Sequence, residues 1–402
     1  MRCLASVFAL LLALSLSAQD TIQLQVDVVY LSSNLLKGRE AGTPYERQAA
    51  AYIASRFEEI GLTPKGTDGW YQPFEFTYKP NPHSETGERR TGLNVVGYLD
   101  NGAPTTVVIG AHFDHLGMGH FGSRHVGEPA IHNGADDNAS GVAALLCLAE
   151  KLKKEPLPGH NYLFIAFSAE ELGLFGSKYF ADHPTIPLES VAWMLNMDMV
   201  GRLNAERKLV INGAGTSPVW KEVLRQIDTL GIHIVTTESG IGPSDHTSFY
   251  LKDIPVLHFF TGQHADYHKP EDDSELVNYA GLADICQLMY NLIAALDDQP
   301  RIAFTKTKDE SERKAAAFKV SLGVMPDYTY DGEGMRVDAV IDGRPGAKAG
   351  MQAGDIIVRI GEVDVHNIYD YMEGLSHFDK GDTTKIVVVR DGKRITLEVT
   401  FE

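Results

Sequence analysis

The sequence predicts a mixed α/β fold with a mostly parallel central sheet flanked by helices, followed by a small, mostly β domain. Three observations carry this. Four short apolar runs, VVIGAH at 107–112, NYLFIAF at 161–167, VAWMLNMD at 191–198 and IPVLHFF at 254–260, read as strands covered on both faces. Helical patterns alternate with them: VAALLCLAEKLKK follows the first run, LGLFGSKYFADH the second and NYAGLADICQLMYNLIAAL the last. Beyond residue 316 the pattern becomes short strands separated by Gly-rich turns.

Taken in order, the chain opens with Arg2, an apolar run at 4–16 and small residues at Ser15, Ser17 and Ala18. These are the three regions of a cleavable signal peptide, expected to end at residue 18, and the run is too short for a membrane span. The expectation is export to the periplasm or the medium, with no membrane span after cleavage. YERQAAAYIASRFEEI at 45–60 is amphipathic and stops at Gly61, as a helix would. The α/β domain is expected over 19–298. DDQPRIAFTKTKDESERKAA is charged and Pro-broken and reads as a linker, placed at 299–316. Over 317–402, FKVSLGV, MRVDAVI, DIIVRIGEV, KIVVVRDGK and ITLEVTF are expected strands, with a helix at Ile368–Ser376.

Composition narrows the function. The 402 residues hold 36 Lys and Arg against 54 Asp and Glu, a net charge of −18, which argues against a surface that tracks phosphates and so against a nucleic-acid partner. Hydrophobic residues make up 44% and charged residues 22%, so the chain can build a large core. Of the three cysteines, Cys3 lies in the signal segment, and Cys147 and Cys286 sit in apolar helical contexts that read as buried thiols, with a disulfide between them as the alternative.

The apolar strands run into acids and histidines. VVIG leads to His112, Asp114 and His115; NYLFIAFSA to Glu170 and Glu171; VAWMLNM to Asp198; and IPVLHFF to Asp266, Tyr267 and His268. Ligands in open α/β sheets bind beyond the carboxyl ends of strands, so four strand ends deliver this set to one rim. Nitrogen and carboxylate donors without Cys suit zinc or a similar divalent ion. Two metals sharing a carboxylate would use such a surplus of acids. Of the adjacent Asp136 and Asp137, spacing alone does not choose the ligand. The histidines at 115, 120, 125 and 132 lie in a Gly-rich loop and read as solvated or hydrogen-bonding. GMGHFG at 117–122 matches a dinucleotide pattern formally, but no helix pattern follows it. Neither HExxH nor GxSxG occurs.

In order, AHFDHLG, NGADDNASG, SAEELGLFGS, NMDMVGR and DYHKPEDD resemble the motifs of the secreted zinc aminopeptidase family, which includes leucyl aminopeptidases, glutamate carboxypeptidase II and glutaminyl cyclase relatives. The resemblance covers about residues 28–296, including GREAGTPYERQAAAYIASRFEEIGL near its start. It implies a zinc-exopeptidase fold, two zinc ions and an aminopeptidase that acts on peptide N-termini. His112 and Asp198 would bind one zinc, Glu171 and His268 the other, and Asp137 would bridge them. Asp114 would hold His112, and Glu170 would be the general base. Asp136 would be a turn or cap acid. GPSDHTSFY at 242–250 also resembles a family segment along the cleft, so Asp245 and His246 would contact substrate or support the site; the alternative is a helix-capping Ser–Asp pair. Tyr267 would stabilise the tetrahedral oxyanion. Rival readings are a glutaminyl cyclase-like acyltransferase, a carboxypeptidase, and a peptide-binding scaffold without activity. The C-terminal segment, with GRPGAKAGMQAGDIIVRIGEVDV at 343–365, resembles a bacterial PDZ domain. That implies a carboxylate-binding loop at Leu322, Gly323 and Val324 and a possible peptide C-terminus as partner.

Overall fold

The computed structural model describes residues 21–79, 86–307, 320–327, 330, 332–341 and 343–401. The expected signal segment lies outside them. No described helix is long and apolar enough to cross a membrane. The chain divides into two compact units: the larger comprises Met1–Thr261 and Asp266–Thr307, and the bulk of the smaller is Lys308–Glu402.

The larger unit begins with helix α1 over 21–31 and α2, Pro44–Ile60. Local chemistry sets the limits of α2. The Thr43 side chain accepts from the Glu46 backbone N–H, Pro44 occupies the first turn, and Gly61 closes the helix at φ 83°. Nine strands form the sheet: β1 (Thr63–Pro64), β2 (Tyr71–Tyr78), β3 (Glu88–Leu99), β4 (Thr106–His112), β5 (Asn161–Phe167), β6 (Val191–Met197), β7 (Lys208–Asn212), β8 (His233–Thr236) and β9 (Val256–Phe260). Their order is β1-β3-β5-β4-β6-β9-β7-β8, with β2 paired to β3. The centre, β5-β4-β6-β9, is parallel throughout, whereas β3 joins β5 and β7 joins β9 antiparallel. Every residue of β4, β5 and β6 is buried, which explains their unbroken apolar sequences. All four expected strands are present at the centre.

The remaining helices are α3 (Gly141–Lys154), α4 (Phe175–Asp182), α5 (Val219–Gln226), α6 (His246–Tyr250) and α7 (Tyr279–Ala295). α2, α3 and α7 share one large core with the sheet, in which Phe57, Leu145, Phe164, Trp193 and Leu288 are fully buried. A second core on Leu163, Phe167, Phe180 and Phe249 covers the opposite face. Cys147 and Cys286 are free; the first is half-buried and the second buried.

The first residues of the expected linker make contacts of their own. Ile302 joins the large core, Thr305 N–H donates to the Thr216 carbonyl at 2.8 Å, and Thr307 is bonded through its N–H and hydroxyl to the Tyr250 phenol at 3.0 Å. The aliphatic and β-branched side chains of RIAFTKT find partners on the larger unit despite the flanking charges.

The smaller unit is a six-stranded sheet of β10 (Val324–Pro326), β11 (Met335–Val340), β12 (Ile356–Ile360), β13 (Val363–Asp364), β14 (Thr383–Arg390) and β15 (Lys393–Thr400), with helices α8 (Pro345–Lys348) and α9 (Ile368–Ser376). Its own core gathers Leu322, Val337, Ile357, Ile360, Leu375, Ile386 and Val399. The first expected strand, FKVSLGV, is shorter than its pattern: only Val324 of it is in β10, and residues 318 and 319 lie outside the described residues. α9 spans the expected residues. β10 ends the strand order and so presents a sheet edge.

Candidate active site

The carboxyl ends of β5, β4, β6 and β9 lie on one rim because these strands are parallel. β4 ends in His112, and Asp114 and His115 follow it. Past β5 the chain turns at Ala169, with φ 55°, and presents Glu170 and Glu171. Asp198 follows β6 directly, and Met199 at φ 55° turns the chain away. Asp137 sits in an irregular helical turn, Ala135–Ser140, that leads into α3.

These residues converge. His112 Nε2 stands 3.4 Å from one Asp137 oxygen and 3.4 Å from Asp198 Oδ1. His268 Nε2 stands 3.2 Å from the other Asp137 oxygen and 3.2 Å from Glu171 Oε2. The Asp137 carboxylate thus lies between two clusters, one per oxygen. Glu170 Oε2 is 4.0 Å from His112, beside both clusters but in neither close contact.

Burial alone would raise Asp137, but hydrogen bonds from His112 and His268 outweigh it and hold the carboxyl well below its usual range. Glu171 is also buried and beside Asp137, yet the His268 charge and bonds from His115 and His268 bring it down to about 2. Glu170 goes the other way. Burial raises it well above the usual range, and among the charges Asp198, Asp245 and Glu171 add to the shift against His112. Adjacent acids in one site are therefore driven apart, a pattern that marks functional carboxylates.

Several expected residues stand somewhat differently from their expected places. The Asp114 carboxylate is 3.8 Å from His112 Nδ1, beyond hydrogen-bond range, and instead accepts the Glu170 backbone N–H at 3.0 Å. Its own carbonyl oxygen lies 3.3 Å from that ring nitrogen. Asp245 occupies the position before α6, and its side chain makes no capping bond there. It is buried, and burial pushes it up to about 7. His246 stacks on His258 at 4.6 Å, away from solvent. Tyr267 stacks on His268 at 3.8 Å. Its phenol is pushed well above the usual value by burial and by the charges of Asp137 and Glu171, so it remains a proton donor. Asp136 is buried and accepts from Gly201 N–H at 2.6 Å and the Ser140 hydroxyl at 3.0 Å, fixing the turn beside the site.

Three supporting residues were given no specific role in the site from the sequence. His115 is buried and its Nδ1 meets Glu171 Oε1 at 2.7 Å. Asp272 accepts the backbone N–H groups of Asp136 and Asp137 at 2.9 and 3.0 Å. Arg39 is fully buried and donates to the carbonyls of Phe113 (2.6 Å), Leu31 (3.0 Å), Gly134 (2.7 Å) and Asp137 (3.4 Å). Burial lowers Arg39 to about 10 against the pull of Asp137 and Asp114, which still leaves it charged at neutral pH. The signal for Arg39 and Asp272 was their place in GREAGT and DYHKPEDD.

The donor set fits a metal centre. His112, Asp137 and Asp198 bring ligand atoms within 4.8 Å of one another, and so do His115, Asp137 and Glu171. Five acids crowded into a mostly buried rim repel one another, and a bound cation removes that penalty.

Residues 94–293 match the family model described as peptidase family M28. The chain belongs to peptidase family M28. Residues 302–401 match the PDZ domain model, so this M28 chain carries a C-terminal PDZ domain. Among its relatives, aminopeptidase YwaD of Bacillus subtilis is 30% identical over 185 residues, covering 44% of this chain and 37% of YwaD. Leupeptin-inactivating enzyme 1 of Streptomyces exfoliatus is 31% identical over 187 residues, covering 46% and 39%. The chain thus spans about two fifths of the length of the relatives it matches. The M28 fold recurs in solved structures. BSAP, a zinc aminopeptidase from Bacillus subtilis, superposes with a TM-score of 0.54 at 20% identity over 70% of this chain and 95% of its own. Porphyromonas gingivalis glutaminyl cyclase gives 0.55 at 18% identity over 70% and 98%.

Proposed function

We propose that this chain is a zinc-dependent exopeptidase of the aminopeptidase kind, cleaving the first peptide bond of its substrate. The observation that carries the reading is the Asp137 carboxylate, whose two oxygens face separate histidine–acid clusters. A shared carboxylate is the arrangement of a paired metal site. His112, Asp137 and Asp198 would hold one zinc; Asp137, Glu171 and His268 would hold the other, with His115 orienting Glu171. When bound, zinc supplies Lewis acidity, polarising the scissile carbonyl and making water acidic enough to attack at neutral pH.

The protein's own groups supply the proton transfers. Glu170, held outside both clusters, takes a proton from the attacking water as its oxygen bonds to the carbonyl carbon. It returns that proton to the amine nitrogen as the C–N bond breaks. Asp114 fixes the Glu170 backbone, so the base keeps its distance from His112. The Tyr267 phenol, still protonated, donates to the oxygen that gains charge.

Export follows from the expected signal segment, and the PDZ unit would take a peptide C-terminus along the β10 edge. In its expected carboxylate loop, the Gly323 N–H already donates to Ser321 Oγ at 3.0 Å, so a peptide would have to displace that hydroxyl. Hydrolysis of aminoacyl-arylamides tests the reading. Turnover that a chelator abolishes and zinc restores supports it; cyclisation of N-terminal glutamine without hydrolysis overturns it.

A further inference from the structure

The rim that carries His268 also carries an arginine to which the proposed chemistry gives no task. The loop between His112 and Asp137 turns at Gly117, Gly119 and Gly122, with φ of 60°, 75° and 72°. It is tied together by Ser123 Oγ and His132 Nε2 at 2.7 Å. It is then fastened to the site by two bonds around His268. His268 Nδ1 donates to the Gly122 carbonyl at 2.9 Å, and Arg124 N–H donates to the His268 carbonyl at 2.9 Å.

This fastening sets the Arg124 guanidinium over the Tyr267 ring, 4.8 Å from its centroid, while the same ring stacks on His268. The side chain is half-buried and its Nη1 is buried without a hydrogen-bond partner. Among the described residues no carboxylate lies within ion-pairing distance of it. Arg202, from the loop after β6, differs: Asp266 holds it at 2.9 Å and Asp272 at 3.5 Å. Burying part of a guanidinium without an anion is costly, and one placed beside a reaction centre is suited to a planar carboxylate. Because the rings are stacked one on the next, the guanidinium lies only a few residue lengths from the metal-binding clusters, at ~3.3–3.6 Å per extended residue.

We infer that Arg124 receives the substrate's own α-carboxylate one or two residues beyond the scissile bond, so that di- and tripeptides with a free C-terminus are the preferred substrates. The inference rests on the proposed hydrolytic function and adds its substrate class. An acid-rich site on a chain of charge −18 would otherwise repel such a carboxylate.

The test compares leucyl-glutamine, its C-terminal amide, and leucyl-glutamic amide, whose only carboxylate is on the side chain, with the zinc-loaded full chain. A charge-assisted contact favours the free acid in kcat/KM over the amide by about 10- to 100-fold. In Arg124→Gln that ratio falls to about one, and Arg124→Lys restores part of it. The ratio is internal to each variant, so a general loss of activity cancels. Equal rates for acid and amide in the intact protein overturn the inference, as does a preference for leucyl-glutamic amide, which assigns Arg124 to a side-chain carboxylate. Calorimetric binding of acid and amide to Glu170→Gln gives the same discrimination without turnover. If no substrate is cleaved yet the acid binds more tightly, the hydrolytic reading fails while the carboxylate site stands.

Discussion

Glu170 and Glu171 are adjacent in sequence and opposite in chemistry. The sequence showed two neighbouring acids at a strand end, and the family resemblance assigned one as ligand and one as base; geometry separates them. Glu171 is bonded by two histidines, whereas Glu170 stands 4.0 Å from His112. The account therefore predicts that Glu170→Gln keeps its metal while kcat falls by about 10²- to 10⁴-fold. Metal analysis alongside steady-state kinetics checks this, and loss of metal would mean that the two glutamates have exchanged roles. What the sequence could not display at this scale was burial. His115 looked like one of four loop histidines, and only its packing against Glu171 distinguishes it. Asp245 looked like a helix cap as much as a site residue, and its burial without a capping bond is visible only in the structure.

At the scale of elements, the four central strands were legible because burial on both faces leaves an unbroken apolar sequence. The flanking strands were not, since an edge strand needs only one apolar face. β2 alternates buried and outward residues, as FEFTY does. β8 is exposed or half-buried along its length and carries little signal. Arg39 illustrates a tie between elements that no local pattern announces. It joins the end of α1, the turn after β4 and the Asp137 turn through carbonyl oxygens alone. Arg39→Met would leave those carbonyls buried without donors, so it should cost on the order of 3–5 kcal/mol. Urea unfolding of the purified variant measures this, and a loss below 1 kcal/mol would show that water replaces the guanidinium.

For the whole molecule, the sequence pattern changes after residue 296, and the chain groups with the larger unit as far as Thr307. Thr305 and Thr307 are hydrogen-bonded into the larger unit and Phe304 packs on Tyr250. The smaller unit has its own hydrophobic core. A chain ending at Thr307 should therefore fold and hydrolyse aminoacyl-arylamides at close to the full-length rate, while one ending at Gln299 should melt at lower temperature. Thermal denaturation and the arylamide assay on both truncations check this. Loss of activity in a folded, zinc-loaded chain ending at Thr307 would make the PDZ unit part of the catalytic machinery.

The central claim is that Asp137 serves two metals at once. Zinc bound per chain, measured on the same purified sample as its hydrolytic rate while zinc is titrated into chelated protein, tests it most directly. The account predicts that full activity is reached at two zinc ions per chain. Full activity at one zinc, with no second ion bound, would contradict it.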